Sequence, residues 1–348
     1  MAAAGYPPFI DNLDANDLDD AFKVIAQALV DGGAQFLFGA GMSRDSDVPV
    51  GFELGMALLD EFFPKSSSGA VPDADRLKDL AGEFPFEAIV HAVEQKRGRV
   101  ELTRILKRIL VDPHPKPNAG HFAFLSLLGV PPRVRQIFTT NYDTLLEDAL
   151  GPDLAVPITE KNATSVGRAE GKLPIIYLRG KLDNDDYRIT EPQYSTNNFS
   201  LLMEEFKTAL HHATAFVFVG FSLNDMDFRQ FYLNFLEQLK SRKIKGKTTY
   251  FVSPAKDSFS YTLGTAIWKL REAMWIPMYA EVFFTKLKDV VENQALDTIR
   301  SEVKRKYGVM KEAEYDDLVK RTAELWRMNA QDALVFLYEA RTRIGGEK

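Results

Sequence analysis

Gln35-Phe36-Leu37-Phe38-Gly39-Ala40-Gly41-Met42-Ser43 is a short apolar run that breaks abruptly into glycine, alanine and serine. Four apolar-rich residues bounded by turn formers read as a strand buried on both faces, followed by a glycine turn. Upstream, Asp17 to Val30 places Leu18, Phe22, Val24, Ile25, Ala28 and Leu29 on one helical stripe, with Asn16 and Asp17 as capping candidates. Strand signals return at Gln136-Ile137-Phe138-Thr139-Thr140, Pro174-Ile175-Ile176-Tyr177-Leu178, Ala215 to Gly220 and Thr248 to Val252. Helical patterns at 142–150, 198–211 and 225–241 lie between them. That alternation predicts an α/β fold, a Rossmann-like parallel sheet covered by helices on both faces.

Two regions depart from the alternation. Residues 52–130 carry mostly helical periodicity, broken by Ser66-Ser67-Ser68-Gly69 and by Pro113, Pro115 and Pro117, and are expected to form a helical insertion. Residues 281–348 are helical in pattern again and are expected to form a C-terminal helical region, a possible oligomer or partner interface, appended to an α/β domain spanning 1–280. With 43 Lys and Arg against 49 Asp and Glu, the formal charge of −6 offers no global attraction for nucleic acid or an anionic membrane. The chain has no cysteine, which eliminates disulfides, thiolate nucleophiles and thiolate zinc sites and fits a reducing cytoplasm. The start of the sequence lacks a basic region followed by an apolar stretch, and the longest apolar run, near Ala215 to Phe221, is far too short for a membrane span. A soluble, cytoplasmic protein is expected.

Three strand ends carry residues with chemistry. Gly39-Ala40-Gly41-Met42-Ser43 would let the backbone approach a pyrophosphate, although the glycines alone are also compatible with a plain tight turn. In Thr139-Thr140-Asn141-Tyr142-Asp143, Asn141 offers a carboxamide for a water or a ribose hydroxyl, and Asp143 can cap the following helix or orient Asn141. Gly220-Phe221-Ser222-Leu223-Asn224-Asp225-Met226-Asp227 supplies glycine and serine at a third strand end, with Asp225 or Asp227 available to begin a helix. Strands of one parallel sheet open on a single edge, so the three turns are expected to face one another.

Taken in order, GAGMS, the helical insertion, FTTNYD and VGFSLNDMD resemble the sirtuin-like NAD-binding proteins, and among them the bacterial antiphage branch more than the protein deacylases. The resemblance spans roughly residues 30–260. It implies that Gly39, Ala40 and Gly41, with Ser43 after them, bind the NAD pyrophosphate. Val48-Pro49 matches the small-residue and proline step that follows that turn. By the same resemblance Asn141 sits beside the nicotinamide ribose with Asp143 and Thr140 around it, and Gly220, Ser222 and Asn224 make the later nucleotide contacts. The implied activity is hydrolysis of NAD to ADP-ribose and nicotinamide, as an effector of antiphage defence. The implied partners are further copies of the chain and an activator such as a HerA-type ATPase, an Argonaute-like module or a phage protein.

Two departures from the family pattern bear on chemistry. The four-cysteine zinc module of the deacylases is absent from a chain without cysteine, which demotes deacylation. Where relatives have a histidine before the glycine after the next strand, this chain reads Tyr177-Leu178-Arg179-Gly180-Lys181, and an arginine stays protonated and takes no proton from a ribose hydroxyl. Arg179 therefore leaves three alternatives. Asn141 positions water without a base, Arg179 grips phosphate in a non-hydrolysing NAD or ADP-ribose sensor or regulatory subunit, or another of His91, His114, His121, His211 and His212 substitutes. No metal is expected, since Asp185-Asp186, Asp225 and Asp227 read as turn and cap residues. The basic run Arg242, Lys243, Lys245 and Lys247 reads as a solvated loop, so direct nucleic-acid binding is not expected. Trp268, Trp275 and Tyr279 read as core or interface residues rather than a stacking platform.

Overall fold

In the computed structural model the described residues are 15–63, 72–128, 134–168, 172–182, 186–190, 193, 201–221, 226–241, 248–255, 258–270 and 273–306. Helix α1 (Ala15–Val30) leads into strand β1 (Ala34–Phe38), and Gly39 opens two consecutive 3₁₀ turns, Ala40–Met42 and Arg44–Ser46. Helices α2 (Gly51–Phe62), α3 (Ala74–Glu83), α4 (Phe86–Arg97), α5 (Arg99–Leu110) and α6 (Ala119–Leu128) intervene before β2 (Ile137–Thr139). After α7 (Leu145–Leu150), β3 (Ala155–Ile158) and β4 (Leu173–Tyr177) comes a two-stranded hairpin, β5 (Gly180–Lys181) and β6 (Asp186–Tyr187). The chain continues through α8 (Leu201–His212), β7 (Ala215–Val219), α9 (Met226–Ser241), β8 (Thr248–Val252), α10 (Ser258–Leu270), β9 (Ala273–Ile276) and α11 (Ala280–Lys306).

Seven strands form one sheet in the order β3-β4-β2-β1-β7-β8-β9, and every pairing is parallel. This is the Rossmann-like α/β architecture that the alternating pattern predicts. Successive side chains of a strand point to opposite faces. Phe36 and Phe38 accordingly enter one core with Phe22, Phe124, Phe283 and Phe284, while Leu37 enters the other with Phe138, Phe206, Phe218 and Phe251. The first core lies under α1, α6 and α11, so Phe283, Phe284, Leu287 and Val291 of the C-terminal helix are sealed against the sheet. A third core joins α2–α5 to the hairpin and to the loop after β2, through Leu58, Val90, Leu106, Tyr142, Leu182 and Tyr187.

Two strands escape the sequence pattern. β3 contains Pro157, and a proline without an N–H is tolerated there because β3 is an edge strand, which pairs only on its β4 side. β9 lies inside the tryptophan-rich stretch read as packing residues. Trp268 does pack, stacking on Phe251 with ring centroids 3.9 Å apart, and Trp275 donates its indole N–H to the Ser253 carbonyl at 3.0 Å. Tyr279 does not: it is 49% exposed. Asp185, the basic residues 242–247, Ser222, Asn224, Asp225 and the last 42 positions, 307–348, lie outside the described residues. Among the described residues no helix is long and apolar enough to cross a membrane.

Candidate functional site

The sheet order reverses at β1, where the chain has built β2, β4 and β3 on one side and then crosses to β7 on the other. In open α/β sheets ligands bind at such a switch point, beyond the carboxyl ends of the strands. Here the turns after β1 and β7 touch. Gly39 N–H donates to the Val219 carbonyl at 2.9 Å and Gly41 N–H to the Gly220 carbonyl at 2.8 Å, which continues the ladder past the strands. Gly220 has φ +63°, and a Cβ on Gly41 would fall 2.8 Å from the Gly220 Cα. Glycine is required at both positions because backbone meets backbone.

The turn after β2 is tied to the same place. Thr140 N–H donates to the Phe38 carbonyl at 3.0 Å, and Asn141 N–H to Thr139 Oγ1 at 3.0 Å. Asn141 Nδ2 donates to Ser43 Oγ at 3.1 Å. The Ser43 hydroxyl, having accepted from Asn141, has its one proton left for the Asp143 carboxylate, to which it is bonded. Asp143 Oδ1 also accepts from the N–H of Leu145, the first residue of α7, at 3.1 Å, while the N-cap position itself is Thr144. Burial raises the Asp143 pKa above the usual carboxylate range, against the lowering effect of those hydrogen bonds. With its amide N–H spent on Ser43, Asn141 Oδ1 is left buried without a partner. An unpaired buried acceptor costs about 1–3 kcal/mol. Such an atom is the natural contact for a ligand hydroxyl or water.

Asn141 opens on a cavity of about 920 Å³. Of the residues matched to the family motifs in the sequence, Ala40, Gly41, Val48, Pro49, Thr140, Asn141, Asp143, Arg179 and Gly220 are among those that line it. Gly39 and Ser43 sit behind that lining, bonded into the turns. Arg179 arrives from the turn between β4 and β5, which is anchored by Leu178 N–H to the Thr139 carbonyl at 2.9 Å and by Arg188 N–H to the Arg179 carbonyl at 2.8 Å. None of the five histidines lines the cavity. His121 is 1% exposed; its Nδ1 accepts from Asn118 N–H at 3.2 Å, its Nε2 has no partner, and burial pushes its pKa down to about 4. Asn118, not His121, lines the cavity, and it bonds the Met42 carbonyl at 2.8 Å. His121 is packed in the interior and away from the cavity lining.

Several lining residues went unnoticed in the sequence. Arg44, paired with Glu53 at 3.1 Å, and Asp45 follow the glycine turn. Ser253 and Pro254 follow β8, a strand whose polar exit carries the same signal as the other three. Glu281 comes from the start of α11, beside Tyr279, which the sequence offered only as a core or interface residue, and Phe52, Phe84 and Ile89 from the insertion supply an apolar wall. Among the described residues no group of three or more His, Asp or Glu is placed to hold a metal ion.

Two comparisons with known proteins give a similarity. Residues 135–268 match the family model of the SIR2-like domain, a stretch that carries β2, β4, β7 and β8 together with Asn141, Arg179 and Gly220. No curated protein matches the chain. One similar solved structure, from work on the mechanism and regulation of Sir2 enzymes, shares 14% identity over 79% of this chain and 99% of that one, with a TM-score of 0.42.

Proposed function

We propose that this protein cleaves NAD to ADP-ribose and nicotinamide at the sheet rim. The observation that carries the reading is the buried, unpartnered Oδ1 of Asn141, a residue that lines the switch-point cavity and whose amide is held by Ser43, itself bonded to Asp143. The match of residues 135–268 to the SIR2-like domain supports NAD as the ligand. Close backbone approach at Gly41 and Gly220 suits a pyrophosphate, with Arg44 as a nearby cation on the lining. In the reaction the C1′–N bond breaks, its electron pair leaves with nicotinamide, and a water oxygen adds to C1′ while its proton passes to solvent. Asn141 Oδ1 accepts a hydrogen bond from that water or from the ribose, fixing the approach.

The leaving group is already cationic, so the protein's task is orientation and stabilisation of charge. Arg179 cannot serve as a base, and the missing base lowers the rate by about 10²–10⁴-fold relative to a site that has one. A slow basal rate fits an effector that a partner switches on. On the resemblance, that effector depletes NAD in bacterial antiphage defence, acts as a homo-oligomer and answers to an activating protein. One observation favours a second reading. Arg179 lines the cavity, and a guanidinium facing the reacting carbon there would oppose a developing cation, which suits a sensor that binds NAD or ADP-ribose without breaking a bond.

Nicotinamide release from NAD, followed with and without the candidate activator, separates the two. Turnover that disappears in Asn141→Ala supports hydrolysis at this site. Binding without turnover under every condition selects the sensor, and an Asn141→Ala variant as fast as the parent removes the mechanism.

A further inference from the structure

A buried charged cluster behind the rim is left unused by this chemistry. The side chain of Lys181, on β5, is only 4% exposed and its Nζ lies 2.6 Å from Glu147 Oε1 on α7, itself 18% exposed. The Tyr177 hydroxyl, at the end of β4, donates to the same Glu147 oxygen at 2.6 Å and lies 3.3 Å from the Asp143 carbonyl. Lys181 Nζ also stands 5.3 Å from the centre of the Tyr177 ring. Tyr142, the residue between Asn141 and Asp143, bonds the Arg188 carbonyl at 2.7 Å, on the far side of the hairpin.

Ion pairs taken out of water rarely stabilise a fold better than apolar residues of the same size, but removing one partner is severe. What a buried pair does supply is a fixed geometry. This one links the two segments that present polar groups to the cavity: Lys181 lies two residues after Arg179, and Glu147 sits one helical turn after Asp143. We propose that Lys181, Glu147 and Tyr177 form a clamp that positions Arg179 against the Asn141 loop, so that the guanidinium reads the distal ribose of the bound dinucleotide. Lys181 and Glu147 are positioning residues, acting through Arg179 rather than on the ligand. The inference rests on the nucleotide reading of the cavity.

Calorimetric binding of ADP-ribose and of ADP, which lacks the distal ribose, to the full chain tests it without requiring turnover. The parent is expected to prefer ADP-ribose, and Arg179→Ala to lose that preference, by roughly tenfold in Kd. Lys181→Met is expected to lose it equally while ADP binds as before, and Arg179→Ala combined with Lys181→Met to be no worse than Arg179→Ala alone. Glu147→Gln, which removes the charge that holds Lys181 while leaving Tyr177 an acceptor, carries the same expectation if Lys181→Met does not fold. Equal weakening of ADP and ADP-ribose, additive losses in the double variant, or an unaltered preference in Glu147→Gln and Lys181→Met overturns the clamp. A parent that binds neither ligand overturns the nucleotide site itself.

Discussion

Gly220→Ala should damage the site more than any comparable substitution at an exposed turn, and the size of the effect follows from two separable terms. The first is conformational: Gly220 has φ +63°, and a Cβ in the left-handed region costs about 1–2 kcal/mol. The second is contact. The new Cβ would lie 2.9 Å from Gly41 Cα and closer still to Met42 N, all backbone atoms that no side-chain rotation can move aside. Forcing a methyl into such packing costs about 1–3 kcal/mol more and drives the turns after β1 and β7 apart. Gly32 provides the control, since it has φ +69° and nothing within 4 Å of its would-be Cβ, so Gly32→Ala carries the conformational term alone. Urea unfolding should therefore place Gly220→Ala about 2–5 kcal/mol below the parent and Gly32→Ala about 1–2 kcal/mol below it. ADP-ribose binding should be lost only in the former. Equal stabilities for the two variants, or unaltered binding in Gly220→Ala, would show that these turns do not form a shared backbone surface for the ligand.

His121 is held neutral in the native state, with a pKa pushed from 6.5 to about 4, whereas the unfolded chain takes up that proton near 6.5. Its contribution is therefore complete above pH 6.5 and is lost as pH falls towards 4, a difference of roughly 3 kcal/mol. Unfolding measured from pH 7 to 4 should show a shallower decline in His121→Gln than in the parent, and parallel curves would refute the assignment. Ser43→Ala strips Asn141 Nδ2 of its acceptor and Asp143 of its side-chain donor, leaving it the Leu145 N–H, so a stability loss of about 1–3 kcal/mol is expected by chemical denaturation. Nicotinamide release should fall with it, because the Asn141 amide is then free to turn; full activity in Ser43→Ala would mean that another contact orients it.

The sheet was legible because its strands are buried on both faces and read as unbroken apolar runs, Phe36-Leu37-Phe38 and Ala215 to Val219 above all. β3 was not, since Pro157 disguises an edge strand of only four residues, and β9 was hidden in a stretch where Trp268 and Trp275 read as packing. At the rim, residues on strand exits were visible in sequence: Gly41, Asn141 and Gly220 all reach one cavity. Those delivered by tertiary packing were not. Tyr279 was read as a core or interface residue, and only the placement of α11 against α6 and α1 brings it to the opening. Nothing local in the sequence says that Lys181 and Glu147, 34 positions apart, meet out of solvent. Their pairing depends on the parallel register that sets β4 beside β2.

On the proposed chemistry, that hidden pairing decides more than the visible motifs do. The glycine turns and Asn141 account for binding and for the line of attack, yet they act alike in a hydrolase and in a sensor. The difference lies in where positive charge falls as the C1′–N bond stretches. A guanidinium directed at a ribose hydroxyl donates hydrogen bonds and leaves the reacting carbon free, whereas the same group turned towards that carbon opposes the cation at every point of the reaction. The turn from Leu178 to Gly180 is fixed at its start by Thr139 and at its end by Arg188 and the Glu147 ion pair. A partner that shifted α7 or the hairpin would therefore re-aim Arg179 without touching the nucleotide, which offers activation a mechanical route through an element outside the catalytic contacts.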